Sequence, residues 1–172
     1  MSYDTLLAEA KTSSAPDEET TETVYLTSGH WSTNAPKLVF HLGTQNNLTA
    51  VSAHADFAFG FSDASEMGSF AFLNRNGLSN SDTQYSVRNT HVVNHVSSSA
   101  GSTESATINS LGAGSVTYNW GKVTDSGMTF GLLALGGDAL TDISVDVIET
   151  PLVSGEVSYT GPGFKPDALV AF

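Results

Sequence analysis

Apolar side chains recur at every second position through most of this chain, and a chain patterned that way buries its hydrophobic surface as strands, not as helices. Phe57, Phe59 and Phe61 share one face, with Ala58 and Gly60 on the other. Phe70 and Phe72 repeat the spacing, and Val116, Tyr118 and Trp120 alternate strictly with Thr117 and Asn119. Further strands are expected at Thr23–Thr27, at Lys37–Leu42, through Tyr85, Val87, Val92, Val93 and Val96, and along the apolar run Met128–Leu135. The cleanest alternation is Ile143, Val145 and Val147 inward against Asp142, Ser144 and Asp146 outward. After Lys11 no window carries a capped 3.6-residue stripe, and Gly or Asn-Gly punctuation recurs throughout. Roughly eight to ten strands then account for about 150 residues, and such a count must close into a barrel or fold as two packed sheets. The expected fold is all-β, a jelly-roll-like or Greek-key two-sheet sandwich.

The ends read differently. Residues 1–22 carry Asp4, Glu9, Asp17, Glu18, Glu19 and Glu22 against Lys11, a net −5 of the chain's −12. They are expected to form an acidic flexible arm, with Tyr3 to Lys11 able to make two helical turns that place Leu6, Leu7 and Ala10 on one face. Residues 23–172 are expected to form a single sandwich domain. Within it, Asn94 to Gly114 is rich in Ser, Gly and Ala and reads as a surface loop or a poorly packed strand pair. Glu156 to Phe172 repeats the pattern of Glu22 to Phe40, a polar-led strand, a Gly-containing turn, then Pro and a hydrophobic strand. These last two strands are expected at the C-terminal edge of the same sandwich.

Charge and composition exclude several functions. Eighteen Asp and Glu face only six Lys and Arg, and the six cations are scattered singly, so no basic patch is available for a phosphate backbone or an anionic membrane surface. Cys is absent, which removes disulfides, thiolate metal sites and Cys nucleophiles. The N-terminus has neither a basic n-region nor a long apolar h-region, and no apolar run approaches the roughly 20 residues that span a bilayer. Synthesis in a cytoplasm, without a signal peptide, is the expectation.

Candidate chemistry is thin. His91 and His95 have the i, i+4 spacing of a helical zinc motif, but they lie in an extended Val-rich stretch, where that spacing spans roughly 13 Å. His54 and Asp56 would share a strand face and could orient a general base, yet no Gly-x-Ser-x-Gly elbow supplies a nucleophile. Asp142 with Asp146, and Asp63 with Glu66, are the carboxylate pairs a glycosidase would need; the first lies on an outward face and the second in a polar turn that lacks calcium-loop spacing. The expectation is a non-enzyme without metal or cofactor. Most aromatic residues belong to the core, and Trp31, in the polar loop Gly29–Asn34, is the candidate for exposure and glycan contact.

The segment Gly161-Pro162-Gly163-Phe164-Lys165-Pro166-Asp167 resembles a strand-turn-strand element of virion proteins of tailed bacteriophages, and Val116–Trp120 with Leu132–Gly137 resembles late strands of similar modules. The resemblance implies a β-sandwich on a particle surface and carries over no catalytic residue. The function expected is that of a phage virion structural protein that decorates or cements the capsid. It would be a homo-oligomer, with a trimer favoured, bound to the major capsid protein or another virion protein through an arm made by Tyr3, Leu6, Leu7 and Ala10. The alternative is a carbohydrate- or receptor-binding module of a tail fibre or baseplate, with a glycan partner at Trp31.

Overall fold

The computed structural model describes residues 7–16, 19–27, 29–44, 55–75, 82–96, 103–122 and 129–146, together with 154–156, 158, 163 and 164. The strands are β1 (Leu7–Ser14), β2 (Thr21–Tyr25), β3 (Pro36–Thr44), β4 (Ala55–Ser62), β5 (Met67–Arg75), β6 (Asp82–Arg88), β7 (Val93–Val96), β8 (Thr103–Gly112), β9 (Ser115–Lys122) and β10 (Thr129–Gly136). They form two antiparallel sheets. Sheet A runs β1-β10-β3-β4-β5-β6 and sheet B runs β2-β9-β8-β7. The protein is an all-β two-sheet sandwich, as the alternation requires. Its first three strands cross between the sheets, and β9 and β10 return beside them, whereas β3 to β6 meander within sheet A and β7 to β9 within sheet B.

The core lies where the period-two faces meet. Sheet A contributes Val39 and His41 from β3 and Phe130, Leu132 and Ala134 from β10; sheet B contributes Val116, Tyr118 and Trp120 from β9. Phe130 packs with ring centroids 5.6 Å from Tyr118 and 5.9 Å from Trp120, and His41 stands edge-on to Tyr118 at 5.3 Å. Such tilted and edge-on pairs let positive ring edges meet negative faces. The near-continuous apolar run of β10 divides between two faces, with Phe130, Leu132 and Ala134 in the core and Leu133 on the outer face of sheet A.

Three expectations are corrected in whole or in part, the first two because a tertiary partner outweighs local pattern and the third because a regular pattern has no ladder partner among the described residues. Residues 7–14 are neither helical nor a detached arm; they are an edge strand in register with β10 over its whole length. Three of their inward positions, Glu9, Lys11 and Ser13, are polar, which hides the alternation. Glu9 Oε1 accepts hydrogen bonds from the Thr27 backbone N–H at 2.7 Å and the Thr27 hydroxyl at 2.9 Å, so a carboxylate serves where a strand usually presents an apolar group. The described residues of Asn94–Gly114 form a strand pair, β7 with β8, as one of the two readings had it, but a buried one and not a poorly packed one. β7 is buried along its whole length and β8 sits inside sheet B, with Ala106 opposite Trp120 in register so that the small side chain leaves room for the indole. Residues 142–146 keep the alternation in their burial, with Ile143 and Val145 half-buried and Asp142, Ser144 and Asp146 exposed, but they join no ladder among the described residues. The pattern of the two C-terminal strands falls mostly on residues outside those described.

The two ends of the sandwich differ. One carries the connections at 26–35, 63–66, 89–92 and 113–114, tied by Leu26 N–H to Gly114 C=O at 2.9 Å and by Asp63 N–H to Glu66 C=O at 3.2 Å. The other carries the β3–β4, β5–β6, β7–β8 and β9–β10 connections, residues 45–54, 76–81, 97–102 and 123–128, which lie outside the described set.

Candidate functional site

The most distinctive surface is the outer face of sheet A. Alternation sends Val39, His41 and Gly43 of β3 inward and Leu38, Phe40 and Leu42 outward. On β4 it sends Phe57, Phe59 and Phe61 outward, and across β5 Phe59 stands opposite Phe70 and Phe57 opposite Phe72. Next along the sheet, Val87 faces Phe70 and Tyr85 faces Phe72, and on the far side Leu133 stands opposite Phe40. Of the seven large hydrophobic residues exposed among those described, six belong to this face: Leu42 at 52%, Phe57 at 44%, Phe70 and Leu133 at 39%, Tyr85 at 74% and Val87 at 55%. Phe40, Phe59 and Phe61 lie between them with ring centroids 6.0 to 6.1 Å apart. Among the described outward positions from Ala8 on β1 to Val87 on β6, no side chain is charged, although the chain carries −12. A monomeric soluble surface seldom leaves so large an apolar patch bare.

A second feature lies inside, at the end of the sandwich where β4 and β8 begin and β7 ends. Asp56 at the start of β4, His95 on β7 and Glu104 on β8 have almost fully buried side chains. His95 and Glu104 are direct cross-strand partners, so their side chains leave the sheet on the same face. His95 Nε2 lies 3.3 Å from Asp56 Oδ2, within reach for charge attraction but off the hydrogen-bond line, and Nδ1 has no hydrogen-bond partner among the described residues. Beside Asp56 opens a cavity of about 320 Å³ whose walls are mostly apolar, with Leu42, Gly43, Phe57 and Phe130 among its lining. No group of three or more His, Asp or Glu among the described residues is placed to hold a metal ion.

Glu22 links three elements. Its Oε2 accepts the Trp120 indole N–H at 3.1 Å and its Oε1 accepts the Ser13 hydroxyl at 3.3 Å, joining β2, β9 and β1. Its charge, after burial, helps hold the Tyr118 phenol well above the usual tyrosine range. Glu22→Ala leaves the buried indole N–H unpartnered, so an equilibrium urea titration is expected to show a loss of about 1 to 3 kcal/mol, with a shift in tryptophan emission. An unchanged midpoint would mean that the Glu22 bonds contribute nothing net.

The other sequence candidates fall as follows. Tyr3 and Leu6 lie outside the described residues, as does the side chain of Leu7, while Ala10 is exposed on the outer face of sheet A opposite Leu133. Trp31 is not an exposed glycan platform: it is 1% accessible, and a methyl group added at Gly136 would sit 3.0 Å from its ring. The polar loop signal was misleading because a short 3-10 turn at Gly29–Ser32 tucks the indole inward while His30 and Ser32 stay exposed. His54 lies outside the described residues. His91 is half-buried beside Thr90, 2.8 Å from its hydroxyl; burial first, and the Arg88 charge second, lower its pKa. Asp63 and Glu66 form a self-contained turn in which Asp63 Oδ1 accepts from the backbone N–H groups of Ser65 and Glu66, and Asp142 and Asp146 are exposed on a coil. What sequence reading missed was the outer face as a unit. The Phe alternation on β4 and β5 was visible, but which neighbours it meets depends on the sheet order.

No protein-family model, no curated protein and no solved structure matches the chain.

Proposed function

We propose that this protein is a non-enzymatic assembly module of a tailed-phage virion, a β-sandwich that decorates or cements the capsid. The observation that carries the assembly reading is the uncharged, aromatic-rich outer face of sheet A on an otherwise acidic chain, a surface suited to contact with protein. The phage setting rests on the resemblance of the segments around Gly161–Asp167 and Val116–Trp120 to virion modules. Residues 7–14 are already paired within their own sheet, so contact with a further subunit is assigned to this sheet face, of which Ala10 is a part, and not to a free arm.

The test is co-sedimentation of the purified full-length chain with particles of its source phage. Saturable binding at a copy number that matches a capsid or tail lattice is the expected result. Binding to a host-cell glycan with none to particles would overturn it in favour of the receptor-binding module.

A further inference from the structure

We infer that the outer face of sheet A docks a second copy of this chain, face to face, to make a two-fold pair. The inference rests on the assembly reading above and names its partner. Size is the first argument. Six strands spaced about 4.8 Å apart, each about 8 residues long at about 3.3 Å per residue, present about 700 Å². Two such faces together bury about 1,400 Å², within the range of a specific, stable interface and above that of incidental contacts.

Charge is the second argument. The chain carries 18 acidic residues against 6 basic ones, so two copies repel wherever their carboxylates meet. The described outward positions of both sheets carry no charge, but those of sheet B are mostly Thr, Ser and Asn, so sheet A is the face where two copies can approach without placing like charges together and also bury apolar surface. A partner recognised by its own charge finds no counter-charge there, and a glycan finds few donors or acceptors among Phe40, Leu42, Phe57, Phe59, Phe70 and Leu133.

Geometry is the third. A sheet face is self-complementary under a two-fold axis, because the ridges of one copy lie in the furrows of the other at the ordinary sheet-to-sheet spacing of about 10 Å. A three-fold ring needs two different patches, so this contact makes a pair, and any larger assembly is built from pairs.

The experiment uses the full-length chain. Light scattering over a dilution series is expected to give twice the 18.0 kDa chain mass at high concentration, falling to one mass on dilution. Leu42→Glu sets two carboxylates against each other in the desolvated centre and is expected to weaken pairing about 100-fold or more. Because the chain has no Cys, single introduced thiols report accessibility even where the glutamate variant does not fold. Leu133→Cys is expected to react with maleimide about 10-fold more slowly in the pair than after dilution, a ratio set by the fraction of pairs that remain. Asn119→Cys, at an exposed position of sheet B, reacts at one rate throughout.

A single mass at every concentration overturns the inference. If Leu133→Cys is then protected regardless of dilution, the chain's own residues beyond Asp146 cover the face; if it reacts freely, the face awaits another protein. A monomer that still binds particles refutes the pair and leaves the decoration reading standing, whereas a pair that binds none does the reverse.

Discussion

Gly60→Ala is expected to abolish the fold or to cost more than 4 kcal/mol. Gly60 faces inward on β4, and a β-carbon there would lie 1.7 Å from the carbonyl oxygen of Val92 and 2.8 Å from its carbonyl carbon. Both are backbone atoms, so no side-chain rotation relieves the overlap. The Val92 N–H is held in turn by the Ala106 carbonyl at 3.0 Å, so the connection before β7 cannot retreat without breaking its tie to sheet B. Moving it would also uncover Val92 and Val93, both buried, and separate β7 from sheet A. With a total stability of about 5 to 15 kcal/mol for an ordinary domain, such a loss leaves little folded protein. Urea titration and soluble yield are the readouts. Gly29→Ala is the control, since nothing lies within 4 Å of its added carbon, and it is expected to change stability by about 0.5 kcal/mol or less. A folded Gly60→Ala with an unchanged midpoint would show that sheet B does not approach sheet A this closely.

The second large effect is acid sensitivity from His41. Its ring is 3% accessible, wedged between Tyr118 and Phe130, and burial lowers its pKa from 6.5 to about 3. The folded protein therefore keeps the imidazole neutral while the unfolded chain takes up a proton below pH 6.5. Between pH 6.5 and about 3 the unfolded state binds more protons, so stability falls as pH falls, by about 4 to 5 kcal/mol at the acid limit. From pH 7 to pH 5, above the range where most carboxylates titrate, the expected loss is about 2 kcal/mol. His41→Phe replaces the ring with one that has no proton to gain. It forfeits a long hydrogen bond with the Tyr118 hydroxyl, 3.4 Å from Nε2, but tyrosine does not titrate in this window, so that cost is the same at every pH. Unfolding midpoints measured from pH 7 to pH 5 are expected to slope downward for the natural chain and to slope less steeply for the variant, the remaining slope including that of His91, whose lowered pKa acts in the same direction. Parallel slopes would mean that His41 gains its proton without unfolding.

Eight of the ten strands were visible as alternation or apolar runs, because a half-buried strand must place one kind of side chain on each face. β8 was read as part of a loop or a poorly packed strand pair, and β1 was missed as a strand. The inward residues Glu9, Lys11 and Ser13 of β1 are polar because they meet an edge of sheet B that offers hydrogen bonds, and nothing in the local sequence announces that neighbour. The Ser-rich stretch around β7 and β8 was undervalued for a related reason. Among the described residues there, Ala106 is a small side chain that stands opposite Trp120 in the ladder. In the opposite direction, Asp142 to Asp146 had the strongest strand pattern and no ladder partner among the described residues, since alternation specifies burial and not pairing.

The candidate site was legible only in pieces. Every Phe of β4 and β5 could be assigned to a face, but an exposed docking face and a buried core face have the same pattern. The difference was decided by which face of sheet A meets sheet B, and that follows from the glycine and alanine side of β4, where Gly60 and Ala58 admit β7. The aromatic side, too bulky for so close an approach, is left to the outside.

By itself, then, the sequence determined the class of fold, the location of most strands and the absence of a basic or thiol chemistry, because periodicity, net charge and residue type are local or additive properties. Only the tertiary structure decided that Trp31 is core, that Asp56, His95 and Glu104 meet in the interior, and that the phenylalanine face lies open. Each of these depends on which strands become neighbours across tens of residues, and pairing of that kind is set by the packing of whole faces.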